Sequence, residues 1–318
     1  LYLDCTYYTT ILHEIKRKRE MTVDFNQSCT KIQHSLTDGR VLSILFSELA
    51  AKHHLEVNTM NARIGVCAPV DRIESAARAG FDYIELNLNE VLNMDIEAYR
   101  AMADQMEKCN LYAEVVCGML PDGMEIIGGG VSAQEIHRAL DRSFETARAL
   151  GAEIILLDCA ASRKIPRGCD PAAAWRQMGN LIRIVQGHAA RYDLRAAILP
   201  LCRREADFIN RASEAMMIPA MLNLDRVGVA VSGYHMAMES ESVHMLRRTG
   251  GLLWHVRTSN ALGNRLPKAG DGQDYRGLLE ALRDMEYSGR ITCEGKWDDF
   301  DADACAACEC IRDLAQCI

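Results

Sequence analysis

From Arg63 onward, short apolar runs alternate with longer stretches in which apolar residues recur every three to four positions. The short runs are Arg63–Cys67, Tyr83–Asn87, Tyr112–Cys117, Glu153–Asp158, Arg195–Leu199, Val227–Ser232, Leu252–Arg257 and Ile291–Glu294. Each is mostly apolar instead of strictly alternating, the pattern of parallel strands covered on both faces. The stretches between them carry helix signals. Ser132 with Glu135 three residues later reads as a capping box. Asp170-Pro171 supplies an N-cap followed by proline at the first helical position. Gly80, Gly151 and Gly289 fall where helices should stop. Eight strand–helix units in this length predict a (β/α)₈ TIM barrel, typically about 250 residues. A doubly wound sheet is the alternative, but it needs fewer units or a glycine-rich first turn. No Gly-x-Gly-x-x-Gly or P-loop pattern is present, and Gly128-Gly129-Gly130 lacks the Lys-Ser/Thr that phosphate binding by a P-loop requires.

Residues 1–59 do not share this rhythm. They show one candidate helix, around Val41–His53, and carry equal numbers of basic and acidic side chains. Met60-Asn61-Ala62-Arg63 leads straight into the first strand, as a start would, and Met21 is a second candidate start. The reading is an N-terminal extension over 1–59, poorly structured or short-helical and outside the core, and a barrel over 60–318.

Composition narrows the function classes. The chain has 318 residues, 49% hydrophobic and 25% charged, the balance of a globular protein and not of a disordered one. A net charge of −8 argues against a nucleic-acid surface, which needs a basic face. No apolar run approaches the roughly 20 residues of a membrane span. Lys16, Arg17, Lys18 and Arg19 follow the early apolar stretch instead of preceding it, unlike a secretory signal. Thirteen cysteines in a chain of this size read as reduced thiols in a cytoplasmic protein. Cys67, Cys117, Cys159 and Cys293 sit in or beside apolar runs, where a thiol behaves as a small hydrophobe. Cys305, Cys308 and Cys310 lie in an Ala-rich helical stretch and offer one pair where structural zinc needs four ligands, so they read as helix packing.

In such a barrel the chemistry sits where strands give way to their following loops. Those positions hold Glu85 and Asn87 after the second strand and Asp158 after the fourth. The fifth ends in Leu199-Pro200, with Arg203 and Glu205 beyond, and the sixth in Ser232, with Tyr234 and His235. The seventh carries His255 and Arg257, the eighth Glu294 and Lys296. Polar groups from several strands on one rim describe a small-molecule site. The plainer reading of each is a surface charge on a loop, and it suits Lys296 and Arg203.

The segments Ala160–Asp170 (AASRKIPRGCD), Pro200–Glu205 (PLCRRE), Tyr234-His235-Met236, His255-Val256-Arg257, Pro267–Tyr275 (PKAGDGQDY) and Ile291–Trp297 (ITCEGKW) occur in the order seen in sugar phosphate isomerase/epimerase proteins. The chain resembles that family, within the xylose-isomerase-like TIM-barrel superfamily, from Arg63 to Cys317. The resemblance implies carbohydrate isomerase or epimerase chemistry on a small carbohydrate-like substrate and pairing as a homodimer. It also implies a divalent metal (Mn²⁺, Mg²⁺ or Co²⁺) held by Glu, Asp, His and Glu from strands five to eight. The metal polarises a sugar carbonyl and hydroxyl while the glutamates exchange a proton with carbon.

Laid on this chain, those ligand positions fall on Leu199, Ser232, Arg257 and Glu294. Leucine cannot ligate, neutral serine ligates poorly, and a guanidinium brings a fixed positive charge. No metal cofactor is therefore expected. The resemblance gives His235 and Glu205 substrate-contacting roles. Glu294 and His235 are the candidate acid/base pair, and Glu205, Arg257, Arg163, Glu85, His255 and Asp158 the candidate substrate-binding groups. Arg257 paired with Glu294 reads as a fixed electrophile in place of the metal, with the expectation that its charge lowers the Glu294 pKa and weakens that base. The alternative is a catalytically silent barrel that binds a sugar, sugar acid or cyclitol as a sensor or partner subunit. A different lyase, dehydratase or hydrolase is a third reading; an AP-endonuclease role lacks a multi-zinc rim and a basic face.

Overall fold

A computed structural model describes residues 60–318; the N-terminal extension, including the helix expected around Val41–His53, lies outside them. Eight parallel strands close in chain order: β1 (Arg63–Cys67), β2 (Tyr83–Asn87), β3 (Val115–Cys117), β4 (Ile154–Leu157), β5 (Arg195–Ile198), β6 (Val227–Ser232), β7 (Leu253–Thr258) and β8 (Arg290–Cys293). Pairing of Arg63–Val66 with Arg290–Cys293 joins the first strand to the last. The third strand is shorter than the apolar run suggested. Tyr112 at its start is exposed, and Glu114 turns to pair with Arg290 at 2.6 Å and with Arg63 at 2.5 Å.

Alternation along each strand sorts the core into two parts. Ile64, Val66, Ile84, Leu86, Val116, Ile155, Ile198, Val229, Val256 and Ile291 belong to the outer layer, packed under the helices. Tyr83, Val115, Cys117, Ile154, Leu156, Ala197, Leu199 and Ala230 fill the barrel interior. At the β6–β7 pairing, Val229 faces Leu253 but Ala230 faces His255, so Trp254 is an extra residue. Such a bulge re-aims side chains. Here Trp254 lies across Gly228, where a Cβ would sit 2.4 Å from the indole, while its neighbour His255 still reaches the inner polar groups.

The helices are α1 (Ile73–Arg78), α2 (Leu88–Leu92), α3 (Ile96–Cys109), α4 (Ala133–Ala149), α5 (Pro171–Tyr192), α6 (Ala212–Leu222), α7 (Gly233–Met238), α8 (Tyr275–Arg283) and α9 (Phe300–Gln316). Ser132 caps α4 through the Glu135 amide, and Asp170 caps α5 through the Ala172 and Ala173 amides. Gly80 and Gly151 follow α1 and α4 closely, both at positive φ. Gly289 does not stop α8. The chain turns at Glu286, whose φ is 55°, and Gly289 instead leaves room for the Tyr287 phenol. Cys308 and Cys310 pack into the outer core from α9 while Cys305 is exposed, and the described cysteines are free thiols. Among the described residues, no helix is long and apolar enough to cross a membrane. The Gly128 amide and carbonyl are both taken by the Gln177 side chain, so that glycine loop is pinned to α5.

Candidate functional site at the barrel rim

The C-terminal ends of the strands converge on one guanidinium. Arg257, near the end of β7, is 7% exposed and donates from Nε to Glu85 Oε1 at 2.8 Å, with a further contact from Nη2 to the same oxygen. Its Nη2 also donates to Asp158 Oδ2 at 3.2 Å, and Nη1 lies 3.3 Å from Glu294 Oε2. Three carboxylates from β2 and from the loops after β4 and β8 thus share one cation. A guanidinium carries five N–H donors. Among the described residues, Glu85, Asp158 and Glu294 engage at most four of them, which leaves one Nη1–H for a ligand. Burial opposes the charge on Arg257, but the surrounding carboxylates hold its pKa well above the ordinary arginine value.

Beneath this cluster runs a column of buried hydrogen bonds. Tyr83 Oη meets Thr292 Oγ1 at 2.8 Å, Thr292 Oγ1 meets His255 Nε2 at 3.2 Å, and His255 Nε2 meets Glu85 Oε2 at 3.0 Å. Burial raises the Glu85 pKa, but Arg257 and His255 outweigh it and bring the carboxyl down to about 2. Burial pushes His255 the other way, below its ordinary value, so it is neutral and its Nε2 proton is directed at the carboxylate.

Glu294 closes the rim. Its Oε1 accepts from Ser232 Oγ at 2.5 Å and its Oε2 faces Arg257. The lowered pKa expected from Arg257 is not what the surroundings give. Arg257 and Ser232 do pull it down, but burial, helped by Glu85 and Asp158, pushes harder, and the net shift is upward. The backbone holds the side chain in this place. The next residue, Gly295, has φ 139°, and a Cβ there would lie 2.3 Å from the Arg265 carbonyl carbon. Gly295→Ala therefore cannot be accommodated by a side-chain rotation. We expect it to cost about 2 kcal/mol or more, through positive-φ strain and a backbone clash, read as a lowered urea midpoint with unchanged m-value.

His235 lies in α7, just past β6. Its Nδ1 accepts from the Cys202 amide at 3.1 Å, which places the proton of the neutral ring on Nε2. Burial, then the charges of Arg257 and Arg163, bring its pKa to about 4. Because the folded value lies below the ordinary 6.5, the folded state refuses a proton that the unfolded chain accepts. Stability held above pH 6.5 is thus lost as pH falls through about 4. We expect His235→Asn to flatten the stability–pH curve between those limits, measured by urea titration. Glu205 joins this side of the rim, with Oε1 3.9 Å from Cys202 Sγ.

The structure gathers Ser232, Arg257 and Glu294 in direct contact, and Leu199 in the apolar interior with Cys117 and Ala230. Three of the groups expected to touch substrate lie deeper than that. Arg163, Glu85 and His255 each have 0% exposure. Arg163 donates to the carbonyls of Leu199, at 2.6 Å, and Leu157, tying the ends of β5 and β4 together, and burial lowers its pKa to about 10. These three support the rim from behind. Arg203, read as a loop charge, pairs with the buried Glu239. Nothing in the sequence marks Tyr83, Thr292 or the thiols of Cys67, Cys117 and Cys202 as site residues, because each reads as core in an apolar strand or turn. Two trios bring one ligand-type atom per residue within 4.8 Å of one another: Cys67, Glu85 and Cys117, and Cys202, Glu205 and His235.

The family profile described as xylose isomerase-like TIM barrel matches residues 73–314. Among solved structures, D-allulose 3-epimerase from Methylomonas sp. superposes with TM-score 0.69 at 20% identity, over 80% of this chain and 98% of that one. D-psicose 3-epimerase from Clostridium cellulolyticum H10, solved with D-tagatose, gives 0.69 at 18% identity, over 80% and 100%. The 3-keto-D-glucoside 4-epimerase of E. coli gives 0.65 at 20% identity, over 80% and 98%. A search of curated proteins finds no match to the chain.

Proposed function

Since the chain belongs to the xylose isomerase-like TIM barrel family, we propose that it is a sugar isomerase or epimerase-like protein whose rim binds a small polyhydroxy carbonyl compound, with Arg257 standing where relatives place a metal ligand. The observation that carries this reading is the Arg257–Glu294 pair, a fixed cation 3.3 Å from a carboxyl whose pKa is raised. Moving a proton to and from the carbon beside a carbonyl needs a base of suitable strength and a positive group for the developing enediolate. The Nη1 donor of Arg257 supplies the second and Glu294 the first. His235, with its proton on Nε2, orients a ligand oxygen, and Glu205 accepts from a hydroxyl.

The divalent ion implied by the family does not suit the four residues at its ligand positions. Leu199 has no donor atom, Ser232 Oγ–H is committed to Glu294, and the Arg257 guanidinium has no lone pair with which to ligate. The chemistry proposed here runs through the guanidinium.

The test is solvent-deuterium incorporation into a panel of ketoses and keto-sugars in the presence of excess chelator. Incorporation next to the carbonyl supports the reading, and its absence across the panel overturns it. One observation favours binding without turnover: both Glu294 oxygens already have partners, Ser232 and Arg257. That second reading expects a ligand-raised Tm with no exchange, since binding to the native state alone stabilises it. On either reading His235→Ala should abolish the ligand-induced rise in Tm.

A further inference from the structure

We propose that Cys67, Cys117 and Glu85 form a site for one thiophilic divalent cation of the zinc type. Cys67 ends β1, Cys117 ends β3, and Glu85 lies on the strand between them, with Cys67 and Glu85 in direct register. Their donor atoms lie within 4.8 Å of one another. Zinc–thiolate bonds are about 2.3 Å, so two sulfurs on one tetrahedral ion sit about 3.8 Å apart. Closing the trio around an ion therefore asks for side-chain movements of about 1 Å and none of the backbone.

A disulfide is the other fate of two close thiols, and the fold forbids it. Strands β1 and β3 are separated by β2, which puts their backbones about 9–10 Å apart in the sheet, beyond the ~7 Å that a disulfide tolerates. The thiols converge at their tips, as ligands of a common ion do. The carboxylate has capacity for it. Its two oxygens offer about four acceptor directions. His255 uses one and the two Arg257 donors use others, leaving one for a cation.

Charge also permits it. Binding releases both thiol protons: two S–H groups and one M²⁺ give M(S)₂ and two H⁺. The charge facing Arg257 is therefore unchanged by loading. Asp158 and Glu294, already sharing Arg257 with Glu85, add a negative surround. Cys117 is buried while Cys67 is partly exposed, so the ion has a route in from the rim, and three protein ligands leave a fourth position open. The second trio differs in a decisive way. His235 Nδ1 accepts the Cys202 amide proton, so its Nε2 carries a hydrogen and offers no lone pair.

This site uses neither Glu294 nor His235 and stands or falls apart from the exchange chemistry. The experiment is titration of the reduced full chain, with Cys5, Cys29, Cys305 and Cys317 replaced by serine, using Zn²⁺ in a weakly buffered calorimetric cell and Co²⁺ in a spectrophotometer. The proposal expects one equivalent of ion and about two protons released per ion near pH 7. It also expects a thiolate-to-cobalt charge-transfer band with tetrahedral d–d intensity. Cys67→Ala and Cys117→Ala should each weaken binding at least 100-fold. The cobalt spectrum needs no substitution at the site, so a spectrum without thiolate bands overturns the proposal even if a variant fails to fold. No ion uptake, a spectrum without thiolate bands, or uptake undiminished in a folded Cys67→Ala/Cys117→Ala variant overturns the proposal.

Discussion

Replacing Arg257 with methionine is expected to cost about 3–5 kcal/mol of folding stability at pH 7, the range for removing one partner of a buried ion pair. Methionine keeps much of the length and packing of the side chain, so the loss reports on charge. Glu85 has no exposure, and with Arg257 gone it keeps, among the described residues, only the neutral His255 as a hydrogen-bond donor. In the parent, the Glu85 pKa of about 2 lies below the ordinary value of 4.5. Its contribution is present above pH 4.5 and lost as pH falls toward 2, and at about 1.4 kcal/mol per unit it is on the order of 3 kcal/mol. In the variant the sign reverses. Burial raises the Glu85 pKa, the folded state takes up a proton first, and lowering the pH restores stability. Urea titrations at pH 7 and pH 4 should show a large gap between parent and variant that narrows at the lower pH. A gap of equal size at both values would mean that Arg257 acts by packing. Glu85→Gln combined with Arg257→Met should cost less than the two singles added, because the second change removes the charge that the first leaves stranded. Arg257→Lys should behave more like methionine than like arginine, since an ammonium cannot reproduce the paired Nε and Nη2 contacts to one carboxylate.

The barrel was legible because its strands announce themselves as apolar runs of fixed spacing, and the closed eight-strand order follows from that pattern. Strand ends were legible for a related reason: a polar residue ending an apolar run, such as Arg257 or Glu294, has few places to go except the rim. Depth was not. Whether Glu85 or Arg163 touches a ligand or only braces a neighbour depends on which carbonyls and side chains surround it, and those come from other strands. The Glu294 pKa failed to follow from its nearest cation for the same reason. Sequence names Arg257 as its partner, but burial and two further carboxylates decide the balance. Cys67 and Cys117 were invisible as a pair because a thiol inside an apolar strand has the composition of core. Only the barrel's curvature turns their tips together. The β7 bulge was equally hidden, since it depends on the register with β6 and not on anything local to Trp254.

Glu294→Gln separates chemistry from architecture, and its expected outcome is a protein at least as stable as the parent that no longer exchanges protons. The folded-state pKa of Glu294 is raised, so the ionised carboxylate is disfavoured in place; its stabilising form is present below the ordinary pKa of 4.5 and lost as pH rises through the folded value. At pH 7 the parent therefore carries a cost that an isosteric neutral amide removes. Crowding of Glu294 with Glu85 and Asp158 around one guanidinium is relieved, while the amide oxygen can face Arg257 Nη1 and the amide NH2 can donate to Ser232 Oγ. Function should move in the opposite direction. A glutamine cannot take a proton from carbon, and losing a positioned general base lowers rates by about 10²–10⁴-fold. Deuterium incorporation should fall by that factor while the ligand-raised Tm persists, because Arg257, His235 and Glu205 are untouched. A residue held at the expense of stability at pH 7 is what catalysis, not packing, would retain. The two readouts together leave little room for a structural role: a variant that is less stable and less active makes Glu294 a brace for Arg257, and one that keeps its exchange rate places the proton-transfer group elsewhere on the rim.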